Sequence, residues 1–302
     1  MRLGIVVVYL VPEGHEGLLE LHLRQIEKHT PLPYTIFGCA TRLSPAASAM
    51  LAAHPRVVLR ECPPAPTGAL PTPEHAHYLE HLTRAAVESG VTHVVTLHVD
   101  SFPVASDWVG KLASRLSDRC VLVAPDVAYT ACMMFTREFH VALEPSFLIT
   151  EAERHSSDYT RFLATCKPAE HGGTGYLFRA FREGYSADAL RPRVAPGMDQ
   201  PGELYDGAVF HLGGASYVGS EAIGQFGRGG PRHTWARWAV ALARTLTPRS
   251  ARRFVRRLFR LGGGVFDTAA DELWQNRTRR GLAELTADPD GYIDRLRQAT
   301  TD

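Results

Sequence analysis

The segment Thr96-Leu97-His98-Val99-Asp100-Ser101-Phe102-Pro103 closes an apolar run with polar side chains, where a strand would leave its sheet. His98 and Asp100 have one residue between them, so an extended backbone points both side chains the same way. An imidazole and a carboxylate so placed could share a divalent cation that bridges two phosphates. That donor pair suits Mn²⁺ better than Ca²⁺. The same two residues also fit a plain turn aspartate beside a strand-end histidine. Spacing alone does not choose between them.

A strand end is useful only if a sheet stands behind it. Strand-like runs fall at Leu3–Val11, Tyr34–Ala40, Arg56–Glu61, His93–Val99 and Cys120–Pro125. Helical patterns lie between them at Glu16–His29, Ser44–Ala53, Pro73–Ser89 and Ser106–Leu116. Such alternation predicts an α/β fold with a doubly wound, mostly parallel sheet and helices on both faces. Ligands of these sheets sit outside the carboxyl ends of the strands, so chemistry is to be sought just after Val8, Ala40 and Val99. The Pro-rich stretch Cys62–Pro73 is a long irregular connection on that side. Past Pro125 the alternation breaks down: Met133–Phe135 reads as a strand, Ser157–Thr165 and Gly175–Glu183 as helices, Val209–Leu212 as a last short strand.

Composition narrows the class. The chain has 302 residues, 45% of them hydrophobic and 22% charged, so it can bury a large core. A formal charge of +1 gives no polyelectrolyte argument for nucleic acid. The five cysteines are scattered and form no CxxC pair, which suggests neither a zinc site nor a disulfide framework. No apolar run reaches the ~18–20 residues of a membrane span. The expectation is a soluble, cytoplasmic protein.

Taken in order, three segments resemble GT-A glycosyltransferases of the family 2 type. They are His75-Ala76-His77-Tyr78-Leu79-Glu80-His81-Leu82, then Thr92 to Pro103, then Asp107-Trp108. In that family an H-G-x-A-L-type helix precedes a strand ending in D-x-D, followed by a proline and an aromatic helix. The resemblance spans roughly Met1–Ser216 and implies a GT-A fold. It implies a metal–pyrophosphate complex of a nucleotide sugar held by Asp100, as second carboxylate, and by His98 where the family has its first. Ala208-Val209-Phe210-His211-Leu212-Gly213-Gly214 is similar to the family's late strand, whose histidine completes the metal's coordination, and glycines there let a ligand approach closely. The implied metal ligands are therefore Asp100, His98 and His211, and the cofactor is Mn²⁺ or Mg²⁺.

The resemblance also implies a donor pocket over the first two strands, formed by Val8, Tyr9, Thr41 and His75 together with His98 and Asp100. Taken singly, Tyr9 fits a core residue as well, and His75 a solvated helix face. The family's acid after the second strand is missing, because Cys39-Ala40-Thr41-Arg42 stands there. Candidates for the base that deprotonates an acceptor are Glu170 first, then Asp158 and His171. Glu170-His171-Gly172-Gly173-Thr174-Gly175 loosely resembles a D-T-G helix start, with Gly173 in the acidic position. A retaining mechanism, with the leaving phosphate as proton acceptor, stays open.

These readings divide the chain into a catalytic domain over 1–218 (donor half about 1–125, acceptor half about 126–218) and an extension over 219–302. The extension opens with a Gly-rich loop, where Gly224–Trp235 could close over a diphosphate. Arginines at 249, 252, 253, 256, 257 and 260 then line one side of an amphipathic helix. That helix could pack and leave its arginines solvated, dock an acidic carrier protein presenting the acceptor, or rest on an anionic membrane surface. Asp267–Thr300 reads as further helix that packs or dimerises. The implied activity is transfer of a sugar, with UDP-sugars favoured, to a small or carrier-bound metabolite in natural-product tailoring. A non-catalytic nucleotide-sugar-binding protein and a nucleotidyltransferase are the alternatives. The latter would want a Gly-rich phosphate loop after the first strand, and Val11 to Gly17 is a poor one.

Overall fold

A computed structural model describes residues 1–11, 14–39, 43–65, 71–168, 172–193, 202–213 and 264–298. Thr41, Glu170, His171, the Gly-rich loop and the arginine-bearing helix lie outside those residues. The first half alternates as the sequence predicts: β1 (Leu3–Val8), α1 (Glu16–His29), β2 (Tyr34–Cys39), α2 (Pro45–Ala53), β3 (Val57–Arg60), α3 (Pro71–Glu88) and β4 (His93–Leu97). There follow β5 (Ser101–Pro103), α4 (Trp108–Ala113), β6 (Cys120–Pro125), β7 (Cys132–Thr136), α5 (Arg137–Leu143), α6 (Glu151–Arg154), α7 (Ser157–Cys166) and α8 (Thr174–Arg182). The remaining elements are β8 (Ser186–Leu190), β9 (Pro192–Arg193), β10 (Glu203–Tyr205), β11 (Val209–His211), α9 (Gly264–Ala287) and α10 (Pro289–Gln298).

Seven strands form the main sheet in the order β3-β2-β1-β4-β7-β6-β8. β1 pairs in parallel with both β2 and β4, while β7 runs antiparallel between β4 and β6. The expected α/β class and mostly parallel sheet are what the structure shows. β1 explains why. Its six residues are all buried, as a central parallel strand requires. Leu3, Ile5 and Val7 join the core on one face, with α1, α2, α4 and α10, whereas Val6 and Val8 join that on the other, with α3, α7 and α8.

A second, antiparallel sheet of order β5-β11-β10-β9 stands beside the first. Of its strands only β11 is legible in the sequence, as the expected short strand at Val209–Leu212; β5, β9 and β10 are too short to announce themselves. The C-terminal helices complete the first core: Leu282, Leu285, Tyr292, Ile293 and Leu296 are buried there, and the Tyr292 ring lies 5.9 Å from that of Phe210. The Arg297 guanidinium donates to the Val104 carbonyl at 2.7 Å, tying α10 to the end of β5. No described helix is long and apolar enough to cross a membrane.

Candidate metal and donor site

β4 stops at Leu97, and the chain turns at once. The Ser101 N–H donates to the His98 carbonyl at 3.0 Å, closing a four-residue turn with Asp100 at its third position. Ser101 Oγ accepts from the His98 N–H at 2.8 Å and donates to the Ala131 carbonyl at 2.5 Å. These bonds fix the turn to the segment between β6 and β7. β11 then pairs with β5, His211 opposite Ser101, and the Leu212 N–H donates to the Asp100 carbonyl at 2.9 Å. The pairing brings a histidine from far along the chain to Asp100.

One potential ligand atom from each of His98, Asp100 and His211 lies within 4.8 Å of the other two. Asp100 is 1% exposed and His211 3%. His211 Nε2 stands 3.6 Å from Asp100 Oδ1, beyond hydrogen-bond reach, and this buried nitrogen has no hydrogen-bond partner among the described residues. Such an orphan costs about 1–3 kcal/mol. A cation beside it would satisfy the nitrogen and the carboxylate together. The donor set therefore fits a divalent ion, and two imidazoles with one carboxylate suit a first-row transition ion.

His98 is held from several sides. Its Nε2 lies 3.1 Å from Thr130 Oγ1, and the Thr96 hydroxyl donates to the Thr130 carbonyl at 2.7 Å. The rings of His75, Tyr129 and His211 meet it edge-on at 5.0, 5.5 and 5.4 Å. Burial pushes the His75 imidazole down to about 4, so this ring is neutral at physiological pH. α8 begins close by: a Cβ on Gly172 would meet Thr130 Oγ1 at 3.2 Å and His75 Nδ1 at 3.9 Å. Gly173 has less room still. A Cβ there would stand 2.5 Å from the Ala128 carbonyl oxygen and 2.7 Å from Met133 Sδ. A carboxylate side chain at this position would have to displace that backbone.

Beneath the turn lies His22 of α1, fully buried with its ring edge-on to Tyr9 at 5.6 Å. Neither ring nitrogen makes a hydrogen bond of good geometry among the described residues. Burial drives the imidazole from 6.5 down to about 3, against the nearby backbone of Ser101 and Val99, which favours the charged form. Below pH 6.5 the unfolded chain takes up a proton that the folded chain refuses. Stability is thus full above pH 6.5 and falls by about 1.4 kcal/mol per pH unit on acidification towards 3. Between pH 6.5 and 5 this amounts to roughly 2 kcal/mol. His22→Leu should flatten that limb of a urea-midpoint-versus-pH curve by about this much, the loss from the other lowered histidines remaining.

Of the other expected site residues, Val8 ends β1, buried, beside β2. The Tyr9 ring is 1% exposed, and a Cβ on Gly38 would meet it at 2.9 Å, so this ring packs in the core and is not available for stacking. Asp158 lies on α7, ion-paired to Arg161 at 3.1 Å, with no described contact to the His98 cluster. Thr130, Tyr129 and Tyr205 belong to the site and are not among the residues the sequence singles out. Thr130 and Tyr129 sit in the turn after β6, whose Asp126 and Val127 hold φ of 46° and 59°. A polar turn directly after a predicted strand end is the one signal the sequence offers.

No protein-family model matches the chain, and no curated protein matches its sequence. Solved structures to which the chain is similar include a mannosyltransferase from Pyrobaculum calidifontis in complex with GDP-Man and Mn²⁺. The two share 14% identity over 96% of this chain and 88% of that one, with a TM-score of 0.42. Mouse xyloside xylosyltransferase 1, apo form, shares 10% identity over 63% of this chain and 86% of its own, TM-score 0.39. The galactosyltransferase LgtC, in complex with donor and acceptor sugar analogs, shares 12% over 62% and 73%, TM-score 0.34.

Proposed function

We propose that this chain is a GT-A-type glycosyltransferase that moves a sugar from a nucleotide diphosphate, a UDP-sugar foremost, to a small or carrier-bound acceptor. The observation that supports this most is the His98–Asp100–His211 cluster at the carboxyl end of β4, with Asp100 and His211 buried, His98 half-buried, and the His211 Nε2 unsatisfied among the described residues. A divalent ion there would neutralise the departing diphosphate. Mn²⁺ is favoured over Mg²⁺ because two of three donors are imidazoles. Asp100 supplies the anionic ligand, His211 and His98 the nitrogens. The first-turn N–H groups of α8, beside Thr130 and His75, favour a donor phosphate. The Val8 and Tyr9 backbone and Thr41 would border the nucleoside.

The acceptor's proton goes to Glu170 in this reading, with Asp158 second, or to the departing phosphate in a retaining mechanism. The basic helix over 249–260 would receive an acidic carrier or an anionic surface. A second reading, nucleotide-sugar binding without transfer, draws on Asp100 being the single carboxylate in the cluster. The test is a thermal-shift series of common nucleotide sugars with Mn²⁺ and with Mg²⁺, then an assay for slow hydrolysis of the donor. A UDP-sugar a hundredfold above its Kd should raise Tm by about 5 °C, and only with the ion present. Binding without hydrolysis or transfer would favour the second reading. No shift with any of them would remove both.

A further inference from the structure

His211 is supported from behind by the hairpin that carries it. β10 runs antiparallel to β11 with Glu203 opposite His211, and Tyr205 lies two residues beyond Glu203. All three side chains therefore emerge on one face. The Tyr205 phenol donates to Glu203 Oε2 at 3.0 Å, and the same phenolic oxygen lies 3.2 Å from His211 Nδ1. The Tyr205 and His211 rings are nearly parallel, at 27° and 6.2 Å.

A phenol has one proton to give. The carboxylate takes it, since hydrogen bonds to a charged acceptor are the stronger ones. An ordinary phenol keeps its proton at neutral pH, and here that proton lies on the Glu203 side. Towards His211 the phenolic oxygen can then only accept. His211 Nδ1 must carry the imidazole proton, which leaves the lone pair on Nε2. That nitrogen is the buried one without a hydrogen-bond partner among the described residues, 3.6 Å from Asp100 Oδ1. We infer that Glu203 and Tyr205 are positioning residues that lock His211 in its Nδ1–H tautomer and thereby make its Nε2 a metal ligand. Such outer partners of a ligating histidine fix both ring orientation and basicity. The inference rests on the reading of His98, Asp100 and His211 as a metal site.

The test uses the full chain without nucleotide and two readouts. Mn²⁺ affinity is measured from the paramagnetic resonance of free ion, and the His211 tautomer from nitrogen-15 spectra of the metal-free protein. Tyr205→Phe is expected to weaken Mn²⁺ binding by about 10–100-fold and to convert His211 from one tautomer to a mixture. Glu203→Gln, at a half-buried position, carries the same prediction should Tyr205→Phe fail to fold. Unchanged affinity and an unchanged tautomer in the folded variant would overturn the relay while leaving the metal site standing. His211→Ala separates the two ideas. If it binds Mn²⁺ as well as the wild type does, or if neither binds, the metal reading fails and takes the relay with it.

Discussion

Asp100→Asn is expected to abolish the stabilisation that Mn²⁺ gives the wild-type chain. At an ion concentration a hundredfold above Kd, that stabilisation is about 2.7 kcal/mol. The amide keeps the shape of the side chain and leaves the backbone pairing with Leu212 intact, so the metal-free variant should melt close to the wild type. What it loses is charge. Asp100 is 1% exposed, and the partners left in the cluster are imidazoles, which bring no negative charge to offset a divalent ion. A buried ion without counter-charge meets a desolvation penalty of several kcal/mol. Turnover of any nucleotide sugar by the wild type should fall about 10³-fold in the variant, the order lost when a charge-stabilising group leaves a preorganised site. Scanning calorimetry with and without Mn²⁺ decides the matter. Equal stabilisation of both proteins would place the ion elsewhere.

The logic of this site is half local and half long-range, and the sequence discloses the two halves unequally. His98 and Asp100 can be read directly, because a two-residue spacing at a strand end is a local fact. The elements behind them are legible for the same reason: the strand Cys120–Pro125 and the helix Glu16–His29 appear in the structure with the bounds the pattern predicts. A central parallel strand such as β1 is apolar on both faces and so reads as an unbroken run. β9, β10 and β5 are two or three residues long, and their identity as strands comes from their partners. His211 is therefore accessible through resemblance, not through pattern. Tyr205 and Glu203 acquire a role only once the β10–β11 register is known. Thr130 is similar: it meets His98 because β7 returns antiparallel to β4, pairing Cys132 with Leu97. Tyr9 misleads in the opposite direction. A tyrosine after a first strand fits a nucleoside as well as a core, and only the packing of Gly38 against its ring shows which face it turns.

Gly173→Asp, which would install the acid that the resemblance leads one to look for, is expected to damage the protein and confer nothing. Gly173 has an ordinary φ of −90°, so the objection is not backbone strain. It is collision: the new Cβ would meet the Ala128 carbonyl oxygen at 2.5 Å, an atom that also accepts the Gly173 N–H at 3.0 Å. Backbone cannot swing aside as a side chain can. Relief must come from moving the turn after β6, where Val127 already sits at φ 59°, a conformation costly for a β-branched residue. That turn carries Thr130 against His98 and Ala131 against Ser101. A shift of it loosens two anchors of the metal site at once. Overpacking of this kind costs about 1–3 kcal/mol, and the backbone contact places Gly173→Asp at the upper end. Gly172→Ala is the control, since its Cβ meets the hydroxyl of Thr130 at 3.2 Å, a side-chain atom that can yield. Its cost should stay below about 1 kcal/mol. Urea unfolding of the two variants, with Mn²⁺ affinity measured alongside, should show Gly173→Asp weakened in both and Gly172→Ala close to the wild type in stability. Gly172→Ala should show at most a small loss of affinity, since Thr130 Oγ1 also meets His98 and has to give by only a few tenths of an ångström. Equal stability of Gly173→Asp and the wild type would mean that α8 can move away from Ala128, and that an acid at its start is sterically permitted after all.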